Sequence, residues 1–228
     1  MTAQIRNFDV DEGVLLDGIV LRPANLKGFY GAYGKRVLDV VLVLLTSLIS
    51  VPLILFFAGL VMLDGRSAFY SQRRIGRGGV MFKLWKLRSM QSNSDAVLQA
   101  HIDACPERAY EWHQTQKLRD DPRVTAVGRF LRKSSLDELP QLWNVLLGDM
   151  SLVGPRPMLR EQTHLYSGTD YFKLRPGLTG LWQVTARNTC SFEARAVFDA
   201  AYAKRVGLLF DLRLMVRTIG AVLRGTGH

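Results

Sequence analysis

The chain has almost no cysteine. Its two, Cys105 and Cys190, stand far apart with no CxxC spacing in 228 residues. That excludes a disulfide framework and is compatible with a reducing compartment. The four histidines, His101, His113, His164 and His228, have no zinc-ligand spacing, so a structural zinc site is excluded. The sequence carries no internal repeat and no low-complexity linker. It shows no secretory-signal pattern either: its start is mixed and partly acidic (Asp9, Asp11, Glu12, Asp17), and the apolar run comes too late. Acidic residues are scarce overall, 20 against 30 Lys and Arg, a net charge of +10. Such an excess fits nucleic acid, anionic lipid or a phosphorylated small molecule. The arginines are spread over several segments and form no nucleic-acid reader module, so nucleic acid is not an expected partner.

Charge of either sign is missing from Val40 to Leu63. A stretch of 18 or more apolar residues is long enough to cross a bilayer. Both flanks are basic, with Lys35 and Arg36 before it and Arg66, Arg73, Arg74 and Arg77 after it. The positive-inside tendency therefore puts both ends on the cytoplasmic side. Pro52 falls near the middle, with Ser47 and Ser50 close by. Proline bends a helix, and serine hydroxyls satisfy carbonyls released by the bend. The expected form is a helix that enters one leaflet, breaks at Pro52 and returns to the same face. A straight span with a tolerated proline is the alternative.

Beyond Leu63 the chain reads as globular. Residues 67–74 and 80–88 flank Gly76-Arg77-Gly78-Gly79, a hairpin with a glycine turn. Residues 93–116 are helical in composition, interrupted by Pro106. Residues 136–147 read as a helix closed by Gly148, 192–206 as another. Leu208–Leu223 is apolar with Arg213, Arg217 and Arg224 at helical intervals, as in a helix lying on a membrane surface. The expected fold is α+β and mostly helical. A tail (1–34) and a re-entrant membrane helix (35–65) precede a catalytic domain (66–228) with a small β-hairpin and surface amphipathic helices.

The densest chemistry lies in Arg132–Pro157, R-K-S-S-L-D-E-L-P-Q-L-W-N-V-L-L-G-D-M-S-L-V-G-P-R-P. Ser135-Leu136-Asp137-Glu138 fits a serine-capped helix start in which Glu138 caps back. On that plain reading both acids are structural. Arg129, Arg132 and Lys133 just before them bring more positive charge than a cap requires. A carboxylate at a helix N-terminus near arginines is expected to stay ionised. Ionised aspartate is a competent nucleophile toward phosphorus, which gives Asp137 that role. Glu138, with Asp137, would hold Mg²⁺, a cation that prefers carboxylates and substrate phosphates. Arg156 stands between Pro155 and Pro157, and a stiff backbone presents a guanidinium to phosphate with little lost freedom. Arg175 beside Pro176 invites the same reading. Lys86 and Arg88 face either the site or solvent. Arg187 with Asn188 either reaches a nucleotide or is surface polarity. Asp149 either caps the next turn, the plainer reading, or approaches the metal. Trp85, Trp143 and Trp182 read as core or interface anchors.

These pieces together resemble the small monotopic phosphoglycosyl transferases of the bacterial sugar transferase family. The resemblance runs from about Lys35 to the C-terminus. It rests on K-R-V-L-D-V, F-Y-S-Q-R-R-I-G, F-K-L-W-K-L-R-S-M, the D-D-P-R-V-T…G-P-R-P core and R-P-G-L-T-G-L-W-Q-V, in that order. It is strongest to members that start exopolysaccharide synthesis by moving galactose or glucose phosphate. It implies that Asp137 takes a sugar phosphate from a UDP-sugar, releasing UMP, and passes it to undecaprenyl phosphate. It also implies Glu138 with Mg²⁺, Arg132 and Arg156 on phosphates, and a monotopic anchor in the bacterial inner membrane with the catalytic domain cytoplasmic. A homodimer through apolar helices is compatible. In the family a serine directly precedes the helix-breaking proline. Here Val51 separates Ser50 from Pro52, so the bend is expected to be shifted or differently capped. The competing expectation is a non-catalytic membrane adaptor that binds anionic lipid or an acidic partner.

Overall fold

In hydrocarbon, a run of leucine, valine and isoleucine with no charge can satisfy its backbone within itself only as helix, and this run is helical. In the computed structural model, residues 14–16, 19–21, 28–63, 66–91, 93–115, 118, 121–186 and 192–223 are described. Two short strands, β1 (Val14–Leu16) and β2 (Ile19–Leu21), pair antiparallel ahead of the apolar run. Tyr30–Gly34 then wind as a π-helix and pass into α1 (Lys35–Met62). Regular structure thus begins within the segment read as a tail.

Pro52 lies inside α1, and α1 is one continuous element rather than two helices parted at Pro52. A proline removes one N–H and is accommodated by curvature as well as by a break. Nearby hydroxyls support the carbonyls of the preceding turns: Thr46 donates to Leu42 O at 2.8 Å and Ser47 to Leu44 O at 2.6 Å. The buried residues of α1 are Lys35, Asp39, Val43, Ser50, Phe57, Ala58 and Val61. Their spacing of four and seven marks one stripe at helical period. Leu44, Leu45, Leu48, Ile49, Leu55 and Phe56 lie off that stripe and are exposed.

The hairpin comes next as β3 (Phe69–Ile75) and β4 (Met81–Leu87), pairing Tyr70 with Lys86 and Arg74 with Phe82. It leads to α2 (Ser94–Asp103) and α3 (Pro106–Thr115). Pro106 sits at the first position of α3, where the missing N–H is harmless. Thr125 caps α4 (Ala126–Ser134), accepting from Gly128 N at 2.9 Å. Gly148, at φ 90°, closes α5 (Gln141–Leu147). Strand β5 (Ser151–Val153) precedes α6 (Asp170–Lys173), and β6 (Gly177–Thr179) pairs parallel with β5. The approach is close enough that a Cβ on Gly177 would fall 2.1 Å from Gly154 N, so no larger residue fits. Helices α7 (Leu181–Thr185), α8 (Arg195–Arg205) and α9 (Leu208–Leu223) complete the chain.

The fold is mostly helical with small two-stranded sheets, as the α+β expectation has it. Helix α1 belongs to its core at both ends. Val43 packs with Phe82, Leu84, Leu142, Val145 and Met150. Phe57, Ala58 and Val61 pack with Ala68, Leu87 and Leu131. Polar ties reinforce the first contact. Lys35 Nζ lies 2.6 Å from Asp211 of α9, whose carboxylate also accepts from Tyr30 and Tyr202. Arg36 donates to the carbonyls of Val145 and Leu146. Helix α9 buries Leu214 and exposes Leu208, Leu209, Leu212, Val216 and Ile219, the two-faced character read from its sequence.

Candidate active site

The backbone around the acidic pair differs from a capped helix start. Ser135 has φ 58°, a left-handed conformation, and its N–H bonds to Arg132 O at 3.1 Å. It therefore ends α4 instead of opening α5, and its hydroxyl makes no cap bond to the following turn. Leu136–Glu138 form a single 3-10 turn, and α5 starts at Gln141 after Pro140. The turn presents Asp137 and Glu138 to β4. Lys86 Nζ lies 2.7 Å from Glu138 Oε1 and 3.5 Å from Asp137 Oδ2.

Helix α5 is fixed to β4 by Asn144, a buried residue to which sequence reasoning assigns no role. Its amide donates to Lys83 O at 2.7 Å and to Asp149 at 3.1 Å, and its oxygen accepts from Trp85 N at 3.1 Å. The two bonds to β4 hold the strand just ahead of Lys86 and set the distance between the lysine and the acids. Asp149 is thereby a partner of Asn144.

Asp137 is only 7% exposed. Burial pushes its carboxyl above the ordinary value and Glu138 adds to this, while Lys86 and Arg132 pull the other way. The expectation of a helix start at the acids is corrected: no long helix begins there, and burial acts on this carboxyl against the neighbouring cations.

The acids open on a cavity of about 580 Å³. Arg74, Lys86, Arg88, Arg123, Arg132 and Arg156 line it, against Asp95, Asp137 and Glu138. Its cations are crowded: burial and then Arg156 lower the Arg74 guanidinium, and burial lowers Arg132. An anion entering this space relieves that repulsion. Arg132 is oriented by Ser89, its Nε 2.8 Å from the hydroxyl. Arg74 bonds to Gln72 Oε1 at 2.6 Å and to Pro157 O at 3.3 Å, which ties β3 to the Arg156 loop.

Asp137, Glu138, Lys86, Arg132 and Arg156 are thus brought together. Arg88 also lines the cavity, yet its Nε donates to Ser67 O at 2.7 Å and its Nη2 to Val61 O at 3.0 Å. It fastens the hairpin to the end of α1. Arg175 is placed elsewhere: it donates to Gly148 O at 2.8 Å and lines a small cavity with Arg36 and Arg77. Its carbonyl partner sits at the end of α5, and that contact holds it away from the acids. Arg187 lies outside the described residues. Arg74 and Arg123 join the site without having stood out in the sequence. The signal for Arg74 is the alternation of β3, which puts Tyr70, Gln72 and Arg74 on one side. Of the tryptophans, Trp182 is buried, with Arg195 stacked 4.2 Å above its ring, whereas Trp143 is exposed.

Among the described residues no group of three or more His, Cys, Asp and Glu gathers to hold a metal. Two adjacent carboxylates in a cavity sized for phosphates still fit Mg²⁺, which binds through one or two carboxylates plus substrate oxygens. Glu138 and Asp137 are the residues that would hold it.

Comparison with known proteins identifies the family of the chain. The bacterial sugar transferase family profile matches residues 30–225. The exopolysaccharide production protein ExoY of Sinorhizobium fredii is 47% identical over 86% of this chain and 88% of its own. The undecaprenyl-phosphate galactose phosphotransferase of Salmonella typhimurium is 45% identical over 89% of this chain, and the UDP-galactose-lipid carrier transferase of Erwinia amylovora 44% over 92%. The chain spans 43% and 44% of those two longer proteins. With a profile covering most of its length and relatives this similar, the chain belongs to the bacterial sugar transferase family.

Proposed function

We propose that the chain moves a sugar 1-phosphate, galactose or glucose phosphate in preference, from a UDP-sugar to undecaprenyl phosphate, as the first membrane step of exopolysaccharide synthesis. The observation that carries this reading is Asp137, buried beside Lys86 in a cavity walled by Arg74, Arg132 and Arg156. The names its relatives carry point the same way.

The Asp137 carboxylate attacks the β-phosphorus of the UDP-sugar. The bond from that phosphorus to the bridging oxygen breaks, and UMP leaves with the oxygen. A sugar-phosphoryl aspartate remains. A phosphate oxygen of undecaprenyl phosphate then attacks the same phosphorus and displaces the carboxylate. Lys86 and the arginines stand ready to balance charge on the phosphoryl oxygens, in a partly desolvated cavity where such contacts are strong. Mg²⁺ on Glu138 and Asp137 would neutralise phosphate charge. Asp137 suits the nucleophile better than Glu138, because Lys86 engages Glu138 at the shorter distance.

The membrane arrangement proposed is monotopic, with the domain on the cytoplasmic side of the inner membrane. Its support is the docking of both ends of α1 on one domain, by Lys35 and Arg36 at the start and by Val61 at the end. Twenty-eight helical residues span about 42 Å, more than the ~30 Å of a hydrocarbon core, so a straight crossing would carry one end to the far side. A helix that dips into one leaflet and returns keeps both contacts.

The deciding experiment is Asp137→Asn in detergent or nanodiscs with Mg²⁺, undecaprenyl phosphate and UDP-galactose or UDP-glucose. UMP release is expected to fall by roughly 10³-fold or more, with folding and membrane binding intact. Wild-type UMP release by that variant would overturn the reading.

A further inference from the structure

A second cluster of cations gathers away from the acids, around a small cavity at the start of α1. Lys35 and Arg36 of α1, Arg77 of the hairpin turn, Lys173 of α6 and Arg175 line it, with one carboxylate, Asp39. Three stretches of chain distant in sequence thus converge on one space. Gly31 and Ala32 of the π-helix also border it and bring little side chain to fill it. Such π-turns are rare and are frequent at functional sites. The enclosed volume is about 20 Å³. A water needs about 10–15 Å³, so the cavity admits part of a single small group and excludes a nucleotide or a sugar.

Charge in the cluster is not balanced. Lys35 pairs with Asp211, and Lys173 with Asp170 at 2.8 Å. With Asp39, three carboxylates meet five cations, and an excess of two positive charges remains. That excess suits one phosphate group. Arg36 is held on the carbonyls of Val145 and Leu146, and Arg175 on that of Gly148, so both guanidiniums are fixed at the end of α5. A guanidinium has five N–H donors in a rigid fork, and one already oriented loses little freedom on gripping an anion. Burial and then Arg77 and Arg36 lower the Arg175 guanidinium, so the cations repel one another. An anion among them relieves that repulsion.

We infer that Arg77, Lys173 and Arg175 form a second anion site, which takes one phosphate group apart from the site of transfer. Two sources supply such a group: the phosphodiester of an anionic phospholipid, and free inorganic phosphate. The surroundings suit the lipid. Phe29 and Tyr33 beside the cavity are exposed aromatics, as at a membrane interface, and Val37, Val41 and Leu44 on the next turns are exposed and apolar. Basic pockets beside membrane helices bind anionic headgroups. The inference goes beyond the transferase reading and does not depend on it, since no step of the transfer passes through this cavity.

The test titrates the full chain in dodecyl maltoside by calorimetry, with dihexanoyl phosphatidylglycerol in one arm and inorganic phosphate in the other. Saturable binding is expected in at least one arm, and the arm that shows it identifies the source. One site per chain should survive Arg132→Ala, which disables the cavity beside Asp137. The double variant Arg77→Gln with Lys173→Gln should weaken that site by about tenfold or more. Removing the same charge from α8, with Lys204→Gln and Arg205→Gln, should leave it unchanged. Melting curves establish that each variant is folded. The single variant Lys173→Gln, at the more exposed edge of the cluster, should weaken binding by about threefold and carries the test if the double variant does not fold. No saturable binding in either arm, an equal loss in the α8 variant, or loss of all binding in Arg132→Ala would overturn the inference. None of these readouts uses transfer activity, so failure of the transferase reading leaves them standing.

Discussion

The Arg88 guanidinium donates to the carbonyl of Val61 at 3.0 Å, so the strand that carries Lys86 is fastened to the last turn of the apolar helix. The same side chain reaches Ser67 O and, more weakly, Met90 O. Arg88→Ala strips these carbonyls of a charged donor, and each such bond contributes about 1.5–3 kcal/mol. The expected outcome is a lower melting temperature, with the KM for UDP-sugar less affected than by Arg132→Ala. Thermal unfolding in detergent beside donor kinetics checks it. A larger loss in donor KM than in stability would return Arg88 to the substrate.

Lys86 holds Asp137 nearer its ionised form against the pull of burial. Lys86→Met removes that help, and the carboxyl moves further up. In the proposed mechanism Asp137 acts ionised, so activity is expected to rise with pH through its titration. The acid limb of the kcat/KM profile is expected to shift to higher pH in the variant, with lower activity at every pH. An acid limb that stays in place would show that Lys86 does not set the ionisation of the nucleophile.

Asp199 in α8 is a pH-sensitive stability element. Burial pushes its carboxyl up to about 7, while the hydroxyl of Tyr166, 2.9 Å away, and Arg195 oppose the rise. A carboxyl whose folded value is raised contributes stability below its unfolded value, near 4, and loses it as pH climbs through 7. The protein should therefore lose on the order of 4 kcal/mol of this contribution between pH 4 and 7. Asp199→Asn should flatten that part of the curve. Melting temperatures of both proteins at pH 4.5, 6 and 7.5 test it, and equal slopes would rule the assignment out.

A monotopic α1 leaves both of its flanks on one side. With Cys105 and Cys190 replaced by serine, single cysteines at Tyr33 and Arg66 are expected to react with an impermeant maleimide in inverted vesicles and to be protected in intact cells. Reaction of one flank from each side would establish a straight span instead.

The hairpin was legible because glycines punctuate two short runs, and α9 because its apolar period is unbroken. The acidic turn was legible as chemistry but not as structure. Ser135-Leu136-Asp137-Glu138 satisfies the local rule for a helix start, yet the preceding helix had already claimed Ser135 N–H for its own carbonyls. Arg88, Arg156 and Arg175 look alike in sequence. Which one meets substrate depends on distant carbonyls, Val61 for the first and Gly148 for the third, and no local pattern announces such partners. The β5–β6 pairing is hidden for the same reason, since Ser151 meets Gly177 only across an intervening helix.

Lys35 and Asp211 also bear on how the protein can be handled. Cutting the chain before α1 ends, to obtain a water-soluble fragment, would leave the Asp211 carboxylate without its cation and strip Phe82, Leu84, Leu87 and Leu131 of their cover. Trimming α9 would do the reverse and maroon the lysine. The anchor is no detachable handle: purification has to carry it along, in a detergent or lipid disc that respects its outward leucines.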